Sequence, residues 1–252
     1  MLRALAAGET GMTAMQNALD VVANNLANMD SVAYKSQTVD FADLVYQPGA
    51  GSGFPRAAAN QDVQLGAGSR VAATGRDLTG GGLRQTNRPL DLAIDGPGYF
   101  AVSAGGGRTL YTRDGRFAVN AAGQLVTAGG YPLGVTLPSG YRDVRVDQSG
   151  QVTVTGADGQ TTVAGTIKVV TFPDPQGLVP LGDGMYQAGT ASGAASANGA
   201  GRIVSGALEQ SNVSLVTQMA DLMLVERTYQ FNAKAVQTAD AMWSMANDLY
   251  QA

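Results

Sequence analysis

The stretch "VSLVTQMADLMLVERTYQFNAKAVQTADAMWSMANDLY" (213–250) decides the fold. Leu215, Met219, Leu222, Val225, Tyr229, Asn232, Val236, Ala239, Trp243, Ala246 and Tyr250 advance by three or four residues. That stripe runs almost unbroken over roughly five heptads, the period of a helix that packs along a partner helix. At 1.5 Å per residue the helix is about 55 Å long, too long to be covered by one small domain. Ser211 and Asn212 stand just ahead of it as N-cap candidates. Asn232 is an amide in the apolar seam, a device that fixes register and partner number. Glu226 and Arg227 interrupt the apolar pattern, either as a solvated face or as an ion pair between subunits.

The other end of the chain answers in the same period. Met1, Leu5, Gly8, Met12, Met15, Leu19, Val22, Leu26 and Met29 form a heptad stripe broken only by Gly8. Gly8 and Gly11 weaken the early turns by roughly 1 kcal/mol each relative to Ala, so the first ten residues are expected to be loose in an isolated subunit. The end of this helix carries Asn24, Asn25 and Asn28, although Asn is a poor helix former. Asn28, before Met29-Asp30-Ser31, fits a helix C-terminus. Asn24 and Asn25 lie beside a stripe that continues past them. Uncharged amides there suit a surface packed against other protein on several sides.

Between the helices the period becomes two. "VRVDQSGQVTVTGADGQTTV" (144–163) alternates apolar and polar residues, and "TLYTRDGRFAVNAAGQLVT" (109–127) reads as two or three short strands. Asp114-Gly115 and Asp158-Gly159 are read as type I′ hairpin turns. "TIKVVTF" (166–172) is another strand, closed by Pro173 and Pro175. "QPGAGSGFPRAAAN" (47–60) and "AGTASGAASANGAG" (188–201) are read as flexible links. The expected class is α+β: long N- and C-terminal helices pairing as a coiled-coil-like arm, with a central all-β domain. The expected segments are an N-terminal helical arm (1–36), a linker and extended β connection (37–87), the central β domain (88–187), a flexible return (188–206) and a C-terminal helical arm (207–252).

Composition removes many functions. The 252 residues include no Cys and no His, which excludes thiol chemistry, imidazole catalysis and His-ligated metals. Only 14% of residues are charged, against 44% hydrophobic, which suggests surfaces meant to be covered. A net charge of −4 without a basic run argues against nucleic acid and against an anionic membrane surface. No apolar window reaches the length of a membrane span, so no membrane insertion is expected. The apolar run at the N-terminus stops at Gly8-Glu9, too short for a cleaved secretion signal. "TGGGLRQ" (79–85), "AGGGRTL" (104–110) and "DGPGYF" (95–100) lack the remaining elements of phosphate-binding loops. "DQSGQV" (147–152) lacks the carboxylate spacing of a calcium loop. The Asp-Gly pairs read as turns rather than glycosidase carboxylates. No cofactor, metal or catalytic residue is expected.

"ANNLANMDSVAYKS" (23–36) resembles the N-terminal signature of bacterial flagellar rod and hook proteins, and "SGALEQSNVSLVTQMADLMLVERTYQFNAKAVQTADAM" (205–242) resembles their C-terminal signature. "RPLDLAIDGPGYFAV" (88–102) and "YTRDGRFAVNAAGQLVTAGGYPL" (111–133) resemble the motifs between. The likeness covers nearly the whole chain in order. It is nearest to the distal rod subunits, with the proximal rod subunits as sibling reading. Ala33 stands where the family usually has Gly, so the turn before Tyr34 is expected to be more restricted. The stretch 47–66 is shorter than in typical distal rod subunits.

The resemblance implies a structural protein of the flagellar basal body, not an enzyme. Such subunits leave the cell through the flagellum's own type III export apparatus and need no cleaved signal. They assemble into a helical filament with further copies and with other rod and hook proteins; in a host with two membranes the rod is periplasmic. Paired terminal helices form the inner tube, and the rod transmits torque from motor to hook. The residues expected at subunit interfaces are Leu19, Val22, Asn24, Asn25, Leu26 and Asn28 in the first arm, with Met219, Leu222, Tyr229, Asn232, Val236 and Trp243 in the second. Two readings from other classes compete: a secreted β-rich carbohydrate-active enzyme with helical appendages, and a binding module that dimerises through a coiled coil.

Overall fold

A computed structural model describes residues 2–44, 47–48, 64–197 and 199–251. Two long helices flank a β-rich middle: α1 (Leu2–Ala27) and α2 (Leu215–Gln251). The chain forms two compact units. One is drawn from Met1–Ala27, Gln37–Arg76 and Ser214–Ala252, the other from Asn28–Ser36 and Asp77–Val213. The fold is α+β, with a helix at each end of a central β domain.

In the helical unit α1 packs on α2. A two-stranded antiparallel ribbon, Gln37–Asp43 with Ser69–Arg76, packs on α1 as well. Its register runs from Gln37 opposite Arg76 to Asp43 opposite Ser69, with a bulge between Asp40 and Phe41. The stretch 37–87, read as one connection, is therefore divided: the ribbon belongs with the helices and Asp77 onward with the β unit. Gln47–Pro48 pairs with Gln64–Leu65. Most of the Gly- and Pro-rich stretch 47–60 lies outside the described residues.

Among the described residues every strand pair of the β unit is antiparallel. Its largest sheet orders the strands Val169–Val170, Tyr99–Ser103, Thr109–Thr112, Met185–Gln187 and Val179–Gly182. Tyr141–Val146, Gln151–Gly156 and Thr161–Thr166 form a meander. Here the alternation read in 144–163 becomes physical: Val144, Val146, Val152 and Val154 are all buried. The core gathers these with Leu92, Phe100, Phe117, Leu125, Ile167 and Ile203. Phe100 and Phe117 meet edge to face at 5.1 Å. A smaller cluster joins Tyr99, Tyr111, Phe172 and Leu178.

The two Asp-Gly signals part company. Asp158-Gly159 does join two paired strands, but only Gly159 has positive φ, at 79°. The turn is therefore not type I′, which needs positive φ at both central residues. Asp114-Gly115 joins strands that do not pair with each other: Thr109–Thr112 pairs with Tyr99–Ser103 and Met185–Gln187, and Phe117–Val119 pairs with Gln124–Thr127. The Gly115 carbonyl accepts from Leu92 N. Gly is needed there because that backbone passes too close for a Cβ.

The return stretch 188–206 is held at several points. Ser192 is fully buried and its hydroxyl donates to the Gly189 carbonyl. Thr171 and Ser196 form an isolated bridge. Arg202–Ser205 pairs with Leu92–Asp95, and the next strand, Ala207–Glu209, pairs with Leu83–Gln85. Small side chains at 188–201 thus serve close packing as well as turns. Gly189 shows this, since a Cβ there would lie 2.6 Å from the Gly177 carbonyl oxygen.

Candidate functional site

On α1 the buried line is Gly8, Gly11, Ala14, Ala18, Val22 and Asn25. It lies beside the heptad of larger residues rather than on it. Met12, Met15 and Leu26 are half-buried, and Leu19 is exposed. The reason is close approach. A Cβ at Gly8 would lie 2.5 Å from Val236 Cγ2, and one at Gly11 would lie 2.8 Å from the Asn232 side-chain amide. The helices run antiparallel, since Gly8 meets Val236 while Asn25 meets Gln218. The two glycines that weaken α1 by propensity are what let α2 come close. On α2 the stripe read from sequence holds in its middle: Leu222, Val225, Tyr229, Asn232 and Val236 are half-buried and Ala239 is buried. From Asp240 to Leu249 every residue is exposed.

Asn25 is 1% exposed. Its side-chain carbonyl accepts from Gln37 N at 2.8 Å, while its amide donates to the Gln37 carbonyl at 2.8 Å. One side chain thus grips both backbone groups of a single residue, as a neighbouring strand would. The same amide donates to Gln218 Oε1 on α2 at 3.1 Å. Asn25 therefore joins the first helix, the ribbon and the second helix of its own chain. Asn28 sits just past the end of α1. Its carbonyl accepts from Ser31 N and its Oδ1 from the Ser31 hydroxyl, a turn that ends the helix. Asn24 is exposed.

Of the remaining residues expected at interfaces, Val22 is buried within the chain, while Met219 and Trp243 are exposed. The expected caps Ser211 and Asn212 do not cap α2. Ser214 does so: its hydroxyl accepts from Thr217 N and its carbonyl from Gln218 N. Glu226 and Arg227 are exposed, and Glu226 accepts from Gln230 Nε2 one turn on.

The β unit holds a feature that sequence reasoning missed. Glu209, 2% exposed, meets Lys35 Nζ at 2.7 Å and Arg113 Nε at 2.6 Å. Gly81 N also donates to its Oε1. Lys35 donates further to the Thr79 carbonyl, and Arg113 to the carbonyls of Gly98 and Gly96. Two cations and one carboxylate are thus buried with each side-chain nitrogen of Lys35 and Arg113 donating at least once, as burial of charge requires. Burial pushes Lys35 below the usual lysine range, against the pull of Glu209. Burial would also raise Glu209, but the Arg113 charge and the bonds from Lys35 and Arg113 outweigh it and hold the carboxyl low.

Lys35 reaches this cluster through a left-handed turn. Ala33 has φ 55°, and its N–H donates to the Glu209 carbonyl at 2.9 Å. The restricted turn expected at Ala33 is thus borne by a non-Gly residue in the left-handed region, at a cost of about 1–2 kcal/mol. Ala33→Gly is expected to be nearly neutral, within about 1 kcal/mol, because relief of strain is offset by a looser unfolded chain and a lost buried methyl. Ala33→Val should destabilise by about 2 kcal/mol or more, since a β-branched residue resists positive φ. Chemical denaturation of the two variants checks this.

Among the described residues no three His, Cys, Asp or Glu side chains gather as a metal site, and no helix is long and apolar enough to cross a membrane.

Three family models match the chain in order. Residues 5–35 match "Flagella basal body rod protein", 93–154 match "Flagellar hook protein FlgE/F/G D1 domain", and 204–249 match "Flagellar basal body rod FlgEFG protein C-terminal". Together they describe the rod and hook proteins of the bacterial flagellum. Among curated relatives, the flagellar basal-body rod protein FlgG of Agrobacterium fabrum is 37% identical over 98% of both chains. FlgG of Bacillus subtilis is 36% identical over 95% of this chain and 96% of its own, and FlgG of Borreliella burgdorferi 34% over 99% of both. The chain belongs to the FlgG family of flagellar basal-body rod proteins, and it is a structural subunit of the basal body. Each matched region supplies one member of the buried cluster: Lys35, Arg113 and Glu209.

Proposed function

We propose that the chain is a subunit of the distal rod, and that copies of it assemble into a helical tube that carries torque from motor to hook. One observation carries this reading. Along α2, Val216 (78% exposed), Met223, Leu224, Phe231 (69%), Met245 and Leu249 (82%) face solvent, although another face of the same helix packs on α1. Such a surface is unusual on a free monomer and marks an assembly face. Burying it at about 25 cal/mol per Å² drives association, and a contact that repeats along a screw axis without closing yields a filament.

In this reading α1 and α2 form a coiled-coil-like arm that packs on the arms of neighbouring copies. Leu19, Met219 and Trp243 meet neighbours. Leu26, Leu222, Tyr229, Asn232 and Val236 border both the subunit's own partner helix and the next copy, and Asn28 meets a neighbour. Asn24 faces a neighbour, whereas Val22 and Asn25 support the arm from within. The subunit reaches the growing tip through the flagellar export channel, and hook and other rod proteins adjoin it.

Phe231→Asp tests the reading. A carboxylate placed in a buried seam opposes assembly without touching the β unit. The purified variant is expected to melt like the wild type in its β unit, while cells that depend on it lose rods and motility. Normal rods and swimming in that strain would overturn the assembly role of α2.

A further inference from the structure

Asn212, freed from capping α2, has a different set of partners. Its Oδ1 accepts from Ser36 N at 2.8 Å. Its Nδ2 donates to the Asp77 carbonyl at 2.9 Å and to the Thr79 carbonyl at 3.2 Å. Its own N–H donates to the Tyr34 carbonyl at 3.3 Å, and Asp77 N donates to the Ser36 carbonyl at 2.8 Å. These residues are not random positions. Ser36 is where the first segment of the β unit ends, Asp77 is where the long segment begins, and Asn212 stands one residue before that segment ends.

We propose that Asn212 is a load-sharing tie, one amide that fastens three of the β unit's four chain ends to one another. The need for it follows from the connectivity. The segment Asn28–Ser36 has only nine residues, so its hold on the rest of the β unit rests on a few bonds. Asn212 couples it side by side with both ends of the segment Asp77–Val213, so force on any one end is carried by all three. An amide suits the task because it accepts from one segment while it donates to another. A serine hydroxyl both accepts and donates but has one donor where Asn212 Nδ2 reaches two carbonyls, and aspartate has no donor when ionised. Lys35 and Glu209 tie the same two segments at a second point, so the fold does not depend on Asn212 alone.

The force-carrying role rests on the rod reading; the tie itself does not. Full-length Asn212→Ala is expected to exchange the amides of Ser36 and Asp77 about tenfold faster than wild type, with the β unit's melting little changed. Asn212→Asp keeps an acceptor for Ser36 N but loses the donor to the Asp77 carbonyl, so Ser36 is expected to stay protected while Asp77, then held only by its own bond to the Ser36 carbonyl, exchanges faster than wild type. In a motile host using this chain as its rod subunit, Asn212→Ala should still build rods but swim more slowly than wild type in viscous medium. Unchanged exchange at both amides overturns the tie. Faster exchange with full speed under viscous load overturns load sharing and leaves the rod reading standing. Full motility after deletion of the chain counts against the rod reading instead, and the exchange result is unaffected by it.

Discussion

Glu209→Gln is expected to destabilise the β unit by about 3–5 kcal/mol, the cost of leaving buried charge without its counter-charge. The substitution keeps the shape of the side chain, so packing is preserved and the loss is electrostatic. Lys35 and Arg113 would then face each other across a neutral amide, with their side chains still buried. Denaturant unfolding of the full chain, followed through the β unit, measures the effect. Lys35→Met supplies the control. It removes the surplus cation and leaves Glu209 balanced against Arg113, so it should cost clearly less than Glu209→Gln. Equal losses from the two variants would show that the cluster acts by packing and not by charge.

The same residue gives a pH signature. Glu209 is held below its ordinary value, so the folded state releases its proton more readily than the unfolded chain. Its contribution is full above the ordinary Glu value of about 4.5 and fades as pH falls through the lower folded-state value. Asp77 is also lowered, chiefly by the bond from Thr79 N, and adds to the acid loss. Lys35 is depressed too, but with the opposite consequence of charge: its effect lies at alkaline pH, where stability rises toward the ordinary lysine value. Wild type should therefore lose stability more steeply in acid than Glu209→Gln. Parallel acid curves would rule out an ionised Glu209 in the fold.

What was legible in the sequence follows from the range of each interaction. Helix and strand periods are local, so α1, α2 and the meander at 141–166 could be read directly. The small-residue line on α1 was hidden because periodicity was judged by large side chains, whereas contact with α2 selected Gly8, Gly11, Ala14 and Ala18. Asp114-Gly115 carries a hairpin signal, but strand pairing across the sheet overrode it. Glu209 left no local trace. A single Glu in "GALEQSN" reads as a surface residue, and its partner Lys35 lies 174 positions away. The one available clue is that "AYKS", "YTRDG" and "GALEQSNV", each within a family motif, each contain a charged residue of the cluster.

Asn25→Leu is expected to loosen the helical unit by about 3 kcal/mol, through at least two unsatisfied buried groups at roughly 1–3 kcal/mol each. The nearest cause lies inside the subunit. The Gln37 N–H and carbonyl lose their partner together, and Gln218 loses a donor on α2. Leucine fills the space but can replace none of these bonds. Helix content should therefore melt at lower temperature, and the Gln37 amide should exchange faster, in a free monomer where no neighbouring subunit is present. Asn25→Asp separates the contributions. It keeps the acceptor for Gln37 N but has no donor for Gln37 O or Gln218, so protection at Gln37 should be largely retained while the hold on α2 weakens. The β unit draws on none of these bonds, and its melting should not move. Unchanged helix melting and Gln37 exchange in Asn25→Leu, together with lost motility, would return Asn25 to the role of an inter-subunit contact.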